Sequence, residues 1–195
     1  MLPLGMSAKT DRRQIALFPM PTISPPVVSD VSISNVFSGT VERAITLTQP
    51  WASLVALGEK LIETRSWSHK FRGPIAIHAA KKFPRECRDL CLREPMLSAL
   101  HGESPNHLPT GCVVAVAQLT DCFKFVAGVS PFIGRVCATN EEKFGSYTPG
   151  RFGFVLSNVV RLPNPVFTPG ALGLWVMNDE AQAAVAQQLH AKAKP

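Results

Sequence analysis

Charged and aromatic side chains are concentrated in a ten-residue stretch between Gly58 and Trp67, which also contains Lys60, Glu63 and Arg65. A carboxylate beside a guanidinium stays ionised and holds the guanidinium in a fixed orientation. An indole offers a flat face on which a nucleic-acid base can stack. These residue types at this spacing are suited to binding a planar, polar molecule.

The segment KLIETRSW alternates between apolar and polar residues, which predicts a β-strand. Because strand side chains alternate between two faces, Glu63, Arg65 and Trp67 share one face, and Ile62 points into the core from the other. Lys60 follows the end of the preceding helix, where a cation is locally favourable. The alternative is a surface ion pair worth under about 1 kcal/mol, with Trp67 covering the edge of the sheet.

Basic residues cluster beside this strand. Between Glu59 and Glu94 there are nine lysines and arginines against five acids, within a chain of net charge +6 and pI about 9.3. Such a balance favours a polyanionic partner. Lys81 and Lys82 precede Pro84, which is predicted to start a helix, and cations at a helix entrance suit phosphate. The alternative for both lysines is a solvated surface.

Three other residues outside the first stretch are candidates for binding. His78 lies between apolar strand residues and faces either the cleft or the core. Tyr147 and Arg151 flank a Pro-Gly turn, where the tyrosine either stacks on a ligand or caps the barrel. Cys87, Cys91 and a histidine would be an unusual metal set, so the sequence predicts no metal and no cofactor.

Six segments read as strands and two or three as helices, with connections that do not repeat. This pattern predicts an α+β fold, a small mixed β-barrel with flanking helices, rather than a doubly wound sheet. Thr48 or Gln49 is expected to cap the first helix, whose Trp51 is expected to belong to the core. The segment PNPVFTPG is expected to join the last two strands.

Three regions are predicted along the chain. Residues 1–40 are rich in Pro and Ser and read as a disordered tail. Residues 41–177 form the folded domain. Residues 178–195 form a C-terminal helix and tail, with Asn178 and Asp179 as its N-cap and first turn and with an apolar stripe too thin for firm packing.

Apolar run length, the N-terminal sequence and the cysteine count bear on where in the cell the protein is located. No apolar run reaches the roughly 20 residues that cross a bilayer, which predicts no membrane partner. The N-terminus does not read as a secretory signal, although a basic organelle-targeting segment stays open as an alternative. Five cysteines without a paired pattern favour a reducing, cytoplasmic location. The oligomeric state stays open.

Four motifs occur in an order that resembles the ASCH (activating signal cointegrator homology) domain, a branch of the PUA-like superfamily. They are the QPWAS helix, the turn and strand G-x-K-x-x-E-x-R, the strand RGPIAIHA, and the closing pair GSYTPGRFGFVLSNVVRL and GALGLW. The resemblance spans residues 43 to 177. It implies a PUA-like barrel around a cleft and a role with RNA or modified nucleosides.

The resemblance also implies which residues line the cleft: Gly58, Lys60, Glu63 and Arg65, with Arg72 nearby. Some relatives remove the acetyl group from acetylated cytidine with a lysine and a threonine three residues later. Here that later position is Glu63, so the hydroxyl nucleophile is missing. Other relatives are described as metal-assisted ribonucleases, but this sequence has no clear set of metal-binding carboxylates.

Three functions therefore remain. The first is a binding module that holds a base on Trp67, Glu63 and Arg65 and holds phosphates on the basic residues. The second is a hydrolase, either a ribonuclease or a modified-cytidine amidohydrolase, with Lys60 and Glu63 as its catalytic groups. The third is a non-catalytic interaction protein. The complete set of candidate binding residues is Lys60, Glu63, Arg65, Trp67, Arg72, His78, Lys81, Lys82, Tyr147 and Arg151.

Overall fold

A computed structural model describes residues 37, 40–135 and 137–192. The predicted disordered tail, residues 1–40, lies outside the described residues apart from Phe37 and Thr40. The described chain forms six strands: β1 (Arg43–Leu47), β2 (Ile62–Arg65), β3 (Gly73–Ala79), β4 (Cys112–Lys124), β5 (Phe152–Phe167) and β6 (Leu174–Val176). Its helices are α1 (Trp51–Ala56), α2 (Arg85–Cys91), α3 (Met96–Ala99), α4 (Asp179–Lys192) and a 3₁₀ helix (Glu141–Phe144).

The strands form one mixed sheet in the order β2-β5-β4-β3-β1-β6. The β1–β3 pair is parallel and the other pairs are antiparallel. Register shifts in β4–β5 and β3–β4 insert extra residues on one strand, which increases twist and bends the sheet. The predicted α+β class, with a curled mixed sheet and flanking helices, is confirmed.

The curl brings together two strands that are not neighbours in the sheet. Arg65 Nη2, at the end of β2, donates a hydrogen bond of 2.7 Å to the carbonyl of Thr46 in β1. The sheet is therefore a half-barrel that is open along a seam between β1 and β2. This seam, with the helix α1 that connects its two strands, is where the site lies.

Alternating strand side chains build two cores on opposite faces of the sheet. The inner core includes Ile45 and Ile77 and packs on α1. The outer core includes Ala44 and Val116 and packs on α4. A third cluster, around the buried Leu100, lies beneath α2 and α3.

Helix α1 is fixed at its first turn by a buried glutamine. Gln49 Oε1 accepts a hydrogen bond from Ser53 N at 3.1 Å, and Gln49 Nε2 donates to Pro109 O at 2.7 Å. The N-cap itself is Pro50, which forms no side-chain cap hydrogen bond, so the prediction of Thr48 or Gln49 as the cap is wrong. After the helix, Gly58 has a φ of +79°, which a glycine adopts without strain and which turns the chain into β2.

Two predictions about the C-terminal part are wrong. Most of the segment expected to connect the last strands, residues 163–167, belongs instead to β5, which continues to Phe167. It does so because the prolines at 163 and 165 lie in a register shift of the β4–β5 pair, where ladder N–H groups are not needed.

Helix α4 also packs more firmly than its composition suggested. Its apolar residues Ala181, Val185 and Leu189 are spaced four apart, so they share one face and are all buried. The predicted cap is confirmed, since Asn178 Oδ1 accepts a hydrogen bond from Ala181 N at 3.0 Å. The boundaries of the three regions stay a prediction.

The five cysteines are free thiols. Within the described part of the chain, no helix is both long and apolar enough to cross a membrane.

Candidate functional site

A cleft of about 530 Å³ opens at the seam. Its volume is within the range of small-molecule sites, roughly 300–1,000 Å³. The end of β1, helix α1, β2, the helices α2 and α3, and the segment after the 3₁₀ helix all contribute to it. The lining residues are Thr46, Leu47, Thr48, Trp51, Lys60, Glu63, Thr64, Arg65, Leu90, Met96, Lys143, Phe144, Gly145 and Ser146.

Glu63 and Arg65 project together into this cleft from one face of β2. Arg65 Nε lies 3.1 Å from Glu63 Oε1, and both side chains are largely buried. Nη2 is hydrogen-bonded to Thr46 O, whereas Nε is buried and forms no hydrogen bond, so its contact with Glu63 is an ion pair only. Both side chains line the cleft. The prediction that Glu63 and Arg65 share one face is confirmed, but Trp67 does not share it.

Lys60 lies deeper in the wall of the cleft and is only 1% exposed. Its Nζ donates to Ile62 O, to Glu141 Oε1 at 3.5 Å and to the Tyr147 hydroxyl at 3.3 Å. An ammonium has three N–H donors, so these partners use all of them. Lys60 thus holds the start of β2 in place.

Glu141, from the 3₁₀ helix, is the carboxylate that neutralises Lys60, and it is 2% exposed. Its Oε1 accepts from Ile62 N at 3.0 Å, and its Oε2 accepts from Leu61 N at 2.5 Å and Ala138 N at 3.3 Å. A buried carboxylate is tolerated when its oxygens are hydrogen-bonded in this way. Glu141 therefore fastens the entrance of β2 to a loop 80 residues away in sequence.

Tyr147 completes the Lys60 network rather than stacking in the cleft. Its hydroxyl donates to Glu141 Oε1 at 2.8 Å. Burial, and then the negative charge of Glu141, raise the pKa of the Tyr147 phenol far above its ordinary value. The ring packs between Phe125 and Phe132.

An apolar wall faces the charged strand. Trp51, Leu90 and Met96 line it together with Phe144. Trp51 Nε1 donates to Phe144 O at 2.8 Å, which fixes the indole against the end of the 3₁₀ helix. Trp51 is the aromatic side chain that a ligand in this cleft would meet.

Trp67, predicted as the stacking surface, lies elsewhere. Its ring packs edge-on against Phe154 with 5.0 Å between centroids, and it borders the inner core. It does not line the cleft. The strand β2 ends at Arg65, so the alternation that would have aligned Trp67 with Glu63 and Arg65 stops before it.

Four of the predicted basic residues also lie outside the lining. Lys81 and Lys82 are exposed in the connection between β3 and α2. Arg72 Nη2 lies 3.6 Å from Asp121 Oδ1. Arg151 Nη2 donates to Thr64 O at 3.1 Å, so it supports the backbone of β2 from behind.

His78 is a core histidine. Its Nε2 lies 3.0 Å from Thr168 O, which places the proton on that nitrogen. The ring packs edge-on against Trp175, and a Cβ at Gly170 would lie 2.5 Å from it. Burial lowers the pKa of His78, and the Thr168 carbonyl only partly opposes this. The structure thus separates His78 from the cleft.

Several residues at the cleft were not predicted from the sequence. The sequence did contain an indication for Trp51, because this large aromatic residue lies in a short helix directly before the charged strand. It was nevertheless assigned to the core. The sequence contained no indication for Glu141 and Lys143, because only the tertiary fold brings their loop to β2. Within the described chain, no group of three or more His, Cys, Asp or Glu side chains is arranged to hold a metal ion.

The structure is a small α+β half-barrel with a cleft at its open seam, between β1 and β2. The family model of the ASCH domain matches residues 45–156, more than half of the chain, including the end of β1 and all of β2. The protein belongs to the ASCH domain family.

Activating signal cointegrator 1 from Homo sapiens is 39% identical over 80 residues, which cover 40% of this chain and 14% of that protein. Activating signal cointegrator 1 from Mus musculus is 30% identical over 124 residues, covering 60% and 21%. The chain thus matches only a small part of these relatives. A crystal structure of ASCH from Zymomonas mobilis aligns with a TM-score of 0.47 and 18% identity over 75% of this chain and 94% of that one.

Proposed function

We propose that this protein is a binding module that holds a base of RNA, or a modified nucleoside, in the seam cleft. The observation that carries the proposal is the Glu63–Arg65 pair, which is oriented by Thr46 O and faces an open cleft. A carboxylate accepts from amino or ring N–H groups and a guanidinium donates to carbonyls. Together they can contact the polar edge of a base.

The opposite wall supplies the flat contact that such a base needs. Trp51 is half-buried at the wall and is fixed by its hydrogen bond to Phe144 O. Leu90 and Met96 extend this apolar surface. Stacking of a base on an aromatic side chain contributes about 1–3 kcal/mol. Trp51 replaces Trp67 as the proposed stacking residue.

Exposed cations beside the cleft would contact the phosphates of a longer RNA. Lys81, Lys82 and Arg85 are exposed where β3 leads into α2, the helix that carries Leu90 to the cleft. Phosphate contacts of this kind are independent of sequence and weaken as salt concentration rises. We propose that they add affinity for RNA without choosing the base.

The test is incubation of the full chain with short RNAs and a panel of modified and unmodified nucleosides, read by mass spectrometry for retention and conversion. We expect retention without conversion. The Glu63→Gln variant keeps the shape of the side chain but removes the charge that orients Arg65, so we expect about tenfold weaker retention. Absence of retention for every probe would rule the proposal out.

A hydrolase in the same cleft is the second candidate, because Lys60 and Glu63 both line it. Against it, the three N–H groups of Lys60 are already bonded within the protein. The same incubation separates the two. Product from RNA or acetylated cytidine, lost in Lys60→Met, would favour the hydrolase, and ligand retained unchanged favours the binding module.

A cytoplasmic location is part of the proposal and rests on the free cysteines. Fractionation of cells that express the full-length protein tests it. Recovery in the cytosolic fraction is expected, and recovery in a sealed organelle would contradict it.

A further inference from the structure

The charged groups of the cleft are not equally neutralised. Lys60 is paired with Glu141, and Arg65 is paired with Glu63. The remaining cation of the lining is Lys143, at the 3₁₀ helix. Its Nζ donates to Asn140 Oδ1 at 2.9 Å, a neutral amide, and no described carboxylate forms an ion pair with it. The cleft therefore carries one positive charge that no acid balances.

The segment around Lys143 is held rigidly against the cleft. Phe144 is 1% exposed and its carbonyl accepts from Trp51 Nε1 at 2.8 Å. Two residues further on, Ser146 also lines the cleft and is exposed, so its hydroxyl is accessible. An ammonium and a hydroxyl thus lie on the exposed rim of the same cleft that Trp51 and the Glu63–Arg65 pair line.

A phosphate group matches this rim. It is anionic, it accepts several hydrogen bonds, and charge-assisted bonds to it are about twice as strong as neutral ones. Lysine binds phosphate as a compact point charge without the planar geometry that arginine requires. Lys81 and Lys82, the lysines predicted for this role, lie outside the lining.

We infer that Lys143 and Ser146 form a phosphate subsite, and that the cleft takes a nucleotide rather than a nucleoside. The inference rests on the proposed function, because it places the base between Trp51 and the Glu63–Arg65 pair. The phosphate then lies at the rim, where the next nucleotide of an RNA chain can leave the cleft.

The test compares the four ribonucleosides with their 3′- and 5′-monophosphates by calorimetric titration at constant ionic strength. For the natural chain, we expect at least one monophosphate to bind about tenfold more tightly than its nucleoside, as one charge-assisted contact allows. In Lys143→Gln the ratio of the two affinities is expected to fall to about one. Ser146→Ala should lower the ratio by a smaller factor.

The matched control is Lys124→Gln, which removes an exposed lysine at the end of β4 that does not line the cleft. This variant should keep the ratio of the natural chain. Equal binding of nucleoside and monophosphate, or a ratio that survives Lys143→Gln, would overturn the subsite and leave the proposed function standing. Failure of every nucleoside and every monophosphate to bind would overturn both.

Discussion

Two ion pairs involve the same stretch of chain, Lys60 in one and Glu63 with Arg65 in the other, and they differ in what surrounds them. Lys60–Glu141 is sealed, with both side chains almost inaccessible and with backbone N–H groups and a phenol completing its contacts. Glu63–Arg65 faces the cleft and is held by a single further bond, from Arg65 to Thr46 O.

This difference assigns the two pairs different roles: one fixes the position of β2, and the other can contact a ligand. The sealed pair has no donor left for a ligand, so its effect is to fix where β2 begins. The open pair lines the cleft and is partly exposed, so a guest can reach it. Its geometry depends on the strand that the sealed pair holds. Substitution in the sealed pair should therefore lower the stability of the fold, and substitution in the open pair should lower the affinity for a ligand.

The largest effect is expected for Glu141→Ala. Removing one partner of a buried pair leaves Lys60 as an uncompensated buried charge, which typically costs about 3–5 kcal/mol in the free energy of unfolding. Urea unfolding measures this loss. The control is Glu142→Ala, an exposed neighbour expected to change stability by at most about 0.5 kcal/mol. Similar stability for the two variants would show that the pair is not sealed.

A smaller effect, on binding, is expected for Arg65→Ala. The variant loses the donor of the open pair and leaves Glu63 without its partner, so affinity for nucleotides should fall by about 2 kcal/mol, or roughly thirtyfold. Calorimetric titration measures the change. Arg43→Ala, which removes a guanidinium over the Phe71 ring outside the cleft, is the control and should bind normally. Unchanged affinity in Arg65→Ala would remove the distinction between the pairs.

The smallest effect is expected in the pH dependence of folding stability, through the Tyr147 phenol that contacts the sealed pair. The folded chain raises the pKa of Tyr147 above its ordinary value of 10.0. As pH rises above 10, the phenol ionises in the unfolded chain but not in the folded one, so stability falls. Thermal unfolding between pH 9 and about pH 11 should show a steeper decline for the natural chain than for Tyr147→Phe. Parallel curves would mean that the hydroxyl is not sealed in the network.

The sequence predicted those features that local geometry controls. Alternation along β2 correctly placed Glu63 and Arg65 on one face, and the pattern of strands predicted the mixed sheet. It failed where the contact is tertiary. Glu141 is distant in sequence and lies in a loop without periodicity, so nothing marked it as the partner of Lys60.

Aromatic residues show the same limit. Trp67 continued the alternation of the charged strand and was therefore predicted to stack on the ligand. In the structure, β2 ends before Trp67, and its ring packs on Phe154. Trp51 looked like a core residue because it opens an apolar helix. The curl of the sheet leaves that helix at the seam, which no local pattern could indicate.

The most direct test of the cleft uses the three tryptophans of the chain, which give three separable indole N–H signals in a ¹⁵N-correlated NMR spectrum. Trp→Phe variants assign them. On titration with ribonucleoside monophosphates, we expect the Trp51 signal to shift while those of Trp67 and Trp175 stay in place. A shift of the Trp67 signal with Trp51 unchanged would contradict it, because the guest would then lie outside the seam.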